Sequence, residues 1–413
     1  MAFGTYVKNK LVSVAMDSRL SGPSLKKALI TGLKSTGTKV LDFGIVPTPL
    51  LAFGTRFTKS GGGVMITASH NPSNYNGFKT WDYNGRSDTT KEEDEIENLL
   101  HEKKFDLGKG TKRSYDIQKK YADELKKRFK FSKKRKVLID CANGAACEIS
   151  PKLLEDFGFD VTAINSEFDG SFPNRNPEPV EENLRKTCKL VLQNKAEIGF
   201  CHDGDADRMI PIDDKGRVCD LDKFITFLAK MQVQETGIKK IVTSVDASML
   251  LEHNLPGVEV IRTRVGDFAI AEELEKMGGC IGVEPGGAVI YPEFGPWPDG
   301  VYSIFKVLKF LEKDNRKLSE IMDSMQKFPF KRVKLGCKEA DKQRIMDELR
   351  KQTPPEVKAS FIDGLRFEWG RSWILIRASG TEPTIRLTGE GQTEQDLNSM
   401  MDYWTARVKE LIG

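Results

Sequence analysis

The sequence predicts an α/β protein built from three similar mixed α/β domains and a smaller C-terminal α+β domain. Short apolar runs typical of buried strands alternate with amphipathic helical patterns as far as about residue 328. This strand–helix alternation, the mark of doubly wound units, returns three times, with similarity in pattern rather than in sequence. Beyond Phe328 the pattern changes to shorter pieces, which indicates a domain of a different kind.

The first unit begins with a predicted strand at 11–16 and a helix whose apolar residues Leu25, Leu29 and Leu33 share one face. This helix is expected to stop near Gly37. A second strand is predicted at 40–45, and the prolines on either side of Thr48 are expected to turn the chain. The glycines and apolar residues that precede Thr67 then form a third strand.

The later units repeat this order. Their strands are predicted at 136–140, near Val161, at 197–201, near Ile241 and near Val258. Further helices are predicted after Asp267, near 340–352 and near 393–411. We therefore expect four domains, at 1–131, 132–232, 233–328 and 329–413.

Composition and charge exclude several classes of protein. Of the 413 residues, 39% are hydrophobic and 30% are charged, which is typical of a globular chain. The 64 basic and 60 acidic residues leave a net charge of +4, which gives no support for nucleic-acid binding. Apolar runs are far shorter than the roughly 18 residues of a membrane span, and no signal peptide is expected. Seven scattered cysteines without a Cys-x-x-Cys pair favour reduced thiols in the cytoplasm.

Ser69 follows a buried strand and precedes His70 and a proline turn. Strand ends carry the chemistry of many α/β folds. A Ser/His hydrolase is disfavoured, because neighbouring side chains of an extended chain point in opposite directions and no Gly-x-Ser-x-Gly elbow surrounds Ser69. By itself Ser69 could simply begin a turn, so its interpretation depends on two later stretches.

Asp203, Asp205 and Asp207 place three carboxylates within five residues. Their mutual repulsion favours a bound cation, and hard oxygen ligands favour magnesium or calcium over zinc. An EF-hand would need glycine where Arg208 stands, and helices rather than strands around the loop. The alternative is a solvated acidic turn, but the apolar strand immediately before the loop favours a magnesium site.

The stretch 377–386 contains the parts of a phosphate-binding loop. Two guanidinium groups, two hydroxyls and a glycine N–H are supplied by Arg377, Ser379, Gly380, Thr381 and Arg386. Ser-Gly-Thr also occurs in ordinary turns, so the stretch alone does not decide its role. A serine at a strand end, a magnesium loop and a phosphate loop together predict phosphoryl transfer.

These stretches together resemble the α-D-phosphohexomutases. In chain order they are similar to the phosphoserine, metal, sugar and phosphate loops of that family, at 67–79, 203–208, 284–287 and 377–386. The resemblance covers nearly the whole chain and implies domains arranged around a central cleft. The sugar and phosphate loops, with Tyr291-Pro292 and 298–300, are most similar to the archaeal phosphoglucosamine mutase subfamily.

The resemblance implies a role for each loop. Ser69 would carry a phosphoryl group, and one Mg²⁺ would be held by the three aspartates and a phosphoserine oxygen. The sugar phosphate would accept the phosphoryl group, become a bisphosphate, turn over in the cleft and return its other phosphate to Ser69. The groups of the phosphate loop would hold whichever phosphate is not reacting, so that remote binding energy supplies orientation.

Further site residues follow from the same resemblance. Arg19 and Lys79 match positions near the reacting phosphate, although either alone could be a surface cation. His70 would orient the serine loop or make only a local turn contact. The residues expected to contact the sugar phosphate are Arg208, Asp267, Glu284 and Gly286.

The match to the family fails at three places. Residues 3–5 match its opening Phe-Gly-Thr motif, but the following residues do not continue it. Residues 1–7 are therefore interpreted as the end of the family's first helix. The family's first strand, with its arginine, is then interpreted as missing. Gly286 and Ala288 stand where many members have serine and histidine. Asp267 also replaces a histidine of some members, so the predicted acid/base is Asp267 or Lys79.

We therefore predict a cytoplasmic, magnesium-dependent phosphohexomutase that works through phosphoserine 69 and favours glucosamine phosphate. A sugar bisphosphate is expected as activator, and the chain is expected to be a monomer or homodimer without nucleic-acid or membrane partners. The alternatives are a phosphomannomutase or phosphoglucomutase, or an inactive sugar-phosphate-binding homologue that lacks its amino-terminal element.

Overall fold

The structure is a computed structural model that describes residues 1–8, 10–379 and 382–413. These residues form two compact units. The first comprises Met1–Phe224 with Gly286–Asp323, and the second comprises Ile225–Pro285 with Ser324–Gly413. Three mainly parallel sheets and one antiparallel sheet confirm the predicted fold class, whereas the four predicted domain boundaries stay predictions.

The first sheet lies in the first unit. In chain order the elements around it are α1 (Ala2–Tyr6), β1 (Leu11–Met16), α2 (Gly22–Ser35), β2 (Lys39–Ile45), α3 (Thr48–Phe57), β3 (Gly62–Ile66), β4 (Phe78–Asp82), α4 (Thr90–Glu102), β5 (Lys112–Ser114) and α5 (Ile117–Arg128). The strand order is β4-β3-β1-β2-β5. Because β1 and β3 are parallel with Met16 opposite Ile66, Asp17 and Thr67 follow their strands at the same edge of the sheet.

Of two local predictions for this part of the chain, one is confirmed and one is wrong. Helix α2 ends at Ser35, and Gly37 has a φ of +82°, in agreement with the expected stop. The prolines around Thr48 were expected to turn the chain, but Thr48 is instead the first residue of α3. Proline at the start of a helix is compatible with it, because the first N–H groups have no intrahelical acceptor.

The second sheet also belongs to the first unit. Its elements are β6 (Lys136–Asp140), α6 (Ile149–Asp156), β7 (Asp160–Ile164), α7 (Glu181–Gln193), β8 (Ile198–His202), β9 (Met209–Ile212) and α8 (Leu221–Thr236), the last of which continues into the second unit. The order is β7-β6-β8-β9, with β9 antiparallel to β8. His202 pairs with Met209, so the aspartates lie in the loop of a hairpin at the carboxyl end of a buried strand.

The third stretch of elements is divided between the units. It comprises β10 (Lys240–Ser244), α9 (Leu250–Asn254), β11 (Glu259–Thr263), α10 (Asp267–Met277), β12 (Gly282–Val283), β13 (Val289–Ile290), α11 (Gly300–Asp314) and α12 (Leu318–Asp323). In the second unit, β10 lies between β11 and β12 and is parallel to both. Strand β13 and the two helices after it belong to the first unit.

The antiparallel sheet completes the second unit. Its elements are β14 (Phe330–Gly336), α13 (Glu339–Lys351), β15 (Lys358–Ser360), β16 (Leu365–Trp369), β17 (Ser372–Ala378), β18 (Thr384–Glu390) and α14 (Glu394–Ile412). The order is β14-β18-β17-β16-β15. One face is covered by apolar residues of α13 and α14 such as Leu349 and Trp404. The predicted phosphate loop therefore connects two adjacent central strands.

Among the helices in residues 1–8, 10–379 and 382–413, none combines the length and the apolar character that a membrane span requires.

Candidate active site

Ser69 lies on the loop after β3 with a φ of +49°. This left-handed conformation is uncommon for residues other than glycine, and it concentrates at functional sites. The backbone N–H of Ser69 donates to Thr67 Oγ1 at 2.8 Å, so this N–H has a hydrogen-bond acceptor within the turn. The hydroxyl, in a residue only 6% exposed, donates to Asp203 Oδ2 at 3.0 Å. The serine is thus held against the aspartate loop.

The side chains of Ser69 and His70 lie close together, contrary to the expectation from the sequence. Neighbouring side chains were expected to diverge on an extended chain, but the left-handed φ of Ser69 brings its Oγ to 3.4 Å from His70 Nδ1. Burial, helped by the positive charge of Arg208, lowers the pKa of His70. The ring is therefore neutral near pH 7, and its contact with Ser69 is local to the turn.

Arg19 spans the serine loop from the end of β1. Its Nε donates to Asp17 Oδ2 at 2.9 Å, in an ion pair with no solvent exposure on either side chain. Its remaining four N–H groups donate to backbone carbonyls at 2.6–2.9 Å, namely those of Ser69, Asn71, Pro72 and Tyr75. All five guanidinium donors are thereby used.

This geometry changes the expected role of Arg19. A side chain whose donors all bind one loop and one carboxylate has none left for a phosphate. Asp17 in turn accepts from Thr67 Oγ1 at 2.7 Å, so the pair also fixes the residue that bonds the Ser69 N–H. Arg19 is therefore placed as an organiser of the serine loop rather than as a phosphate donor.

The three aspartates form a compact group in the β8–β9 hairpin loop. One ligand oxygen from each lies within 4.8 Å of the others, and Asp203 and Asp205 are completely buried. Asp205 Oδ1 is buried without a hydrogen-bond partner. A buried carboxylate oxygen in this state is costly, and a hard divalent cation would satisfy it. The donor set therefore fits Mg²⁺.

The aspartate loop also touches the serine loop through its backbone. A Cβ on Gly204 would lie 2.5 Å from the carbonyl oxygen of Ser69, so only glycine permits this approach. Ala206, two residues later, has a φ of +56°. The close packing explains why a glycine separates the first two aspartates.

Two cations accompany the aspartates. Lys79 Nζ, reached from β4, lies 3.2 Å from Asp205 Oδ2 and 3.3 Å from Asp207 Oδ2. Arg208 Nε lies 3.9 Å from oxygens of Asp203 and Asp207. Three carboxylates against two cations leave a deficit of positive charge that a divalent ion would reverse. Lys79 and Arg208 are thus beside the predicted metal site.

The pKa values reflect this deficit. Burial, together with the neighbouring Asp207 and Asp205, raises the pKa of Asp203 well above its usual value. Burial also opposes ionisation of Asp205, but Lys79 and the Thr48 hydroxyl outweigh it and lower the pKa of that carboxyl.

Thr48 is a site residue that the sequence did not reveal. Its N–H donates to the Asp205 carbonyl at 2.9 Å, and its Oγ1 donates to Asp205 Oδ2 at 2.7 Å. The N–H is available because Thr48 starts α3, where backbone N–H groups lack helical acceptors. A threonine beside prolines at a helix start was the available signal, but nothing in the sequence linked it to residue 205.

A second support of the aspartate loop was also missed. Buried Arg175 donates to Asp140 Oδ2 at 2.9 Å and to the His202 carbonyl at 2.6 Å. The His202 ring contacts Ser150 Oγ and the Arg208 carbonyl, each at 3.0 Å. Burial lowers its pKa to about 4, so this histidine is a neutral structural group.

The predicted phosphate loop belongs to the second unit. Arg377 and Arg386 are directly opposite each other on β17 and β18. Like charges in this position repel, which suits a site for an anion. Arg377 Nε donates to Asp363 at 2.9 Å and Arg386 Nη2 to Glu382 at 2.8 Å. With Arg332 and Lys334 they line a cavity of about 470 Å³.

The other predicted residues of this unit are placed as follows. Ser379 is 7% exposed, and its Oγ accepts from the Glu382 N–H at 3.2 Å. Gly380 and Thr381 lie outside the described residues. Glu284 Oε1 accepts from the N–H of Gly266 at 3.1 Å, immediately before Asp267 begins α10. The structure therefore places Glu284 beside the start of the helix that carries Asp267.

Gly286 is exposed in the first unit. The residues after it approach the aspartate loop, because the Gly287 carbonyl accepts from Met209 N–H at 3.4 Å and Ala288 bridges to Arg208. The end of the predicted sugar loop thus lies against the residue that follows the aspartates.

Comparison with known families shows four consecutive matches. They are to the phosphoglucomutase/phosphomannomutase alpha/beta/alpha domains I, II and III and C-terminal domain, at residues 1–107, 119–216, 220–328 and 333–405. The chain belongs to the phosphoglucomutase/phosphomannomutase family. This confirms the recognition made from the four motifs, and with it the expectation of an enzyme of that family.

Two archaeal members of the phosphoglucomutase/phosphomannomutase family illustrate the likeness. The phosphoglucosamine mutase of Methanocaldococcus jannaschii is 40% identical, over 98% of this chain and 93% of that protein. A probable phosphoglucosamine mutase of Pyrococcus abyssi is 38% identical, over 100% and 93%. The predicted similarity to archaeal phosphoglucosamine mutases is thus confirmed.

A solved structure of the same family supports the fold. The phosphoglucomutase/phosphomannomutase family protein of Burkholderia thailandensis is 26% identical and superimposes with a TM-score of 0.91, over 99% of this chain and 92% of that one.

Proposed function

We propose that this protein interconverts glucosamine 6-phosphate and glucosamine 1-phosphate through a phosphoserine at Ser69, with one Mg²⁺ per chain. The observation that carries the proposal is the Ser69 hydroxyl, 3.0 Å from the first carboxylate of a buried aspartate group. Relatives about 40% identical over nearly the whole chain bear the name phosphoglucosamine mutase, which supports glucosamine as the sugar.

The proposed reaction has two balanced transfers. In the first, the bond between phosphorus and Ser69 Oγ breaks while a bond to the free sugar hydroxyl forms. The hydroxyl proton passes to a base, and Ser69 Oγ takes up a proton. The resulting sugar bisphosphate reorients, and the reverse transfer returns its other phosphate to Ser69. Neither transfer consumes a further reactant.

The aspartates have a defined part in this scheme. Asp203, Asp205 and Asp207 would hold Mg²⁺, because they offer clustered buried oxygens and one of these lacks a hydrogen bond. A bound Mg²⁺ supplies positive charge that neutralises the transferring phosphoryl group. Lys79, which contacts two of the aspartates, would donate to that group. The proposed acid/base is Asp267 or Lys79.

Positioning residues complete the site. Arg19 would keep the Ser69 loop in its bent conformation through four carbonyls. Arg377, Ser379 and Arg386, with Gly380 and Thr381, would bind the phosphate that is not reacting. Holding that end in place converts remote binding energy into orientation of the reacting end. Arg208, Glu284 and Gly286 are proposed to contact the sugar phosphate.

Two finer points extend this proposal. A sugar bisphosphate would activate the enzyme by phosphorylating Ser69, because the cycle begins from phosphoserine. The chain is proposed to act as a monomer or homodimer in the cytoplasm. The second candidate function is a phosphomannomutase or phosphoglucomutase, which the family description favours and which would use the same residues.

The test compares glucosamine, glucose and mannose phosphates with Mg²⁺ and the matching bisphosphate as activator. Wild-type protein should turn over glucosamine phosphate fastest, Ser69→Ala should be inactive while folded, and the exposed Ser73→Ala of the same loop should be active. Turnover by Ser69→Ala would refute the phosphoserine. Faster turnover of glucose phosphate or mannose phosphate would refute glucosamine phosphate as the preferred substrate and support the second candidate function.

A further inference from the structure

Lys342 is a buried lysine that the proposed reaction does not use. It is 5% exposed and lies in the first turn of α13. Ile345 and Leu349, both completely buried, share its helix face at the i+3 and i+7 positions. A lysine therefore occupies a core position of this amphipathic helix.

The Lys342 ammonium binds the two ends of the phosphate loop. Its Nζ donates to the Ser379 carbonyl at 2.6 Å and to the Glu382 carbonyl at 2.7 Å. Its third partner is the exposed carboxylate of Glu339, three residues earlier on the same helix. The two carbonyls belong to the residues on either side of Gly380 and Thr381.

Two costs oppose a lysine at this position. Removing an ammonium from water is unfavourable unless its donors are satisfied. A positive charge in the first turn of a helix also opposes the helix dipole. The contacts with the loop carbonyls offset both costs, since charge-assisted hydrogen bonds are stronger than neutral ones.

Other hydrogen bonds of the same loop lie within the sheet or within the loop itself, as does that from Glu382 N–H to Ser379 Oγ. Cys337 N–H on the neighbouring strand edge donates to the Pro383 carbonyl at 2.8 Å, and Ser379 N–H donates to the Thr384 carbonyl at 2.9 Å. These bonds continue the sheet. The two bonds from Lys342, by contrast, join the entry and the exit of the loop to helix α13.

We propose that Lys342 is a positioning residue for the phosphate loop. By fixing the Ser379 and Glu382 carbonyls, it sets the loop conformation in which Ser379 and the strand arginines receive a phosphate. It does not touch the sugar phosphate itself. The inference rests on the proposed function, because it names the phosphate loop as the binding site for the phosphate that is not reacting.

The test uses Lys342→Met, which keeps the apolar stem and removes the ammonium. Its KM for glucosamine 6-phosphate should rise about ten- to hundredfold with little change in kcat, as expected when two charged hydrogen bonds that order a binding loop are lost. The matched control is Glu339→Gln, which alters the third partner of the same ammonium but leaves both loop contacts, and its KM should stay at the wild-type value.

Direct binding gives a second readout that does not need turnover. Calorimetric titration with glucosamine 6-phosphate should show weaker binding to Lys342→Met by the same factor, and Lys342→Arg should recover part of it. If Lys342→Met does not fold, Lys342→Gln, which keeps an N–H donor, replaces it. Unchanged KM and unchanged binding in a folded variant would overturn the inference, as would a loss confined to kcat. An inactive wild-type protein that still binds the sugar phosphate would refute the proposed function without deciding against Lys342.

Discussion

Replacing Arg19 by methionine tests whether a buried arginine organises the serine loop. The substitution keeps an unbranched stem and removes five N–H donors, four of which bind carbonyls of residues 69, 71, 72 and 75. We expect Arg19→Met to lose mutase turnover even where the protein folds, because Ser69 is no longer held in its left-handed conformation at 3.0 Å from Asp203.

The size of the stability loss follows from the ion pair. Arg19 and Asp17 are 2.9 Å apart with no exposed side-chain surface, so the variant leaves a buried carboxylate unpaired, at a cost of about 3–5 kcal/mol. Burial already raises the pKa of Asp17 to about 6, although Arg19 lowers it. The cost should therefore shrink at about pH 5, where Asp17 folds as the neutral acid.

Denaturant unfolding and the mutase assay measure these effects on Arg19→Met, Asp17→Asn and the double variant. The double variant should be less destabilised than the sum of the single ones, because it buries no unpaired charge. Arg185→Met, at an exposed position of α7, is the matched control and should resemble wild type. Wild-type stability and turnover in Arg19→Met would refute the reasoning.

Three further predictions concern other parts of the molecule. A chelator should stop turnover, and Mg²⁺ should restore it with a rise in melting temperature, because Asp203, Asp205 and Asp207 lose and regain their bound ion. A chelator that changes neither turnover nor melting temperature would refute the proposed metal site. Arg386→Ala should raise KM about tenfold or more for a sugar phosphate, and unchanged kinetics would contradict its place in the phosphate loop. Burial raises the pKa of Asp88 from 3.8 to about 7. Between these two pH values the folded protein holds a proton that the unfolded chain has lost, so the stability of the wild type falls as the pH rises through this range. Asp88→Asn should be more stable than wild type at about pH 8, by up to a few kcal/mol, with little difference at about pH 4. If denaturant unfolding gives both proteins the same dependence of stability on pH, the prediction is wrong.

Residues that are contiguous in the chain were identified from the sequence. Asp203, Asp205 and Asp207 follow a buried strand in a short loop, and the structure brings their oxygens within 4.8 Å. Ser69 was singled out because it ends a strand of an α/β unit, and it contacts that group. Strand and helix periods are equally local, so the fold class was predictable as well.

Three roles depended on pairs distant in the chain. Arg19 was expected near a phosphate, but its donors bind the serine loop, which the parallel pairing of β1 and β3 brings to the same sheet edge. Thr48 was interpreted as part of a turn, yet it binds Asp205. Lys342 shares a helix face with Ile345, and only the tertiary structure shows the carbonyls that it binds.

The sequence by itself determined the α/β class and the order of the four family motifs, because periodicity and contiguous motifs are properties of short stretches of chain. The tertiary structure decided which buried donors bind which acceptors, and so showed that Arg19 and Lys342 bind loop carbonyls. The physical reason is that a guanidinium or ammonium has the same donors whichever acceptors it binds. Its partners are chosen by strand register and helix packing, over separations such as the 50 residues between Arg19 and Ser69.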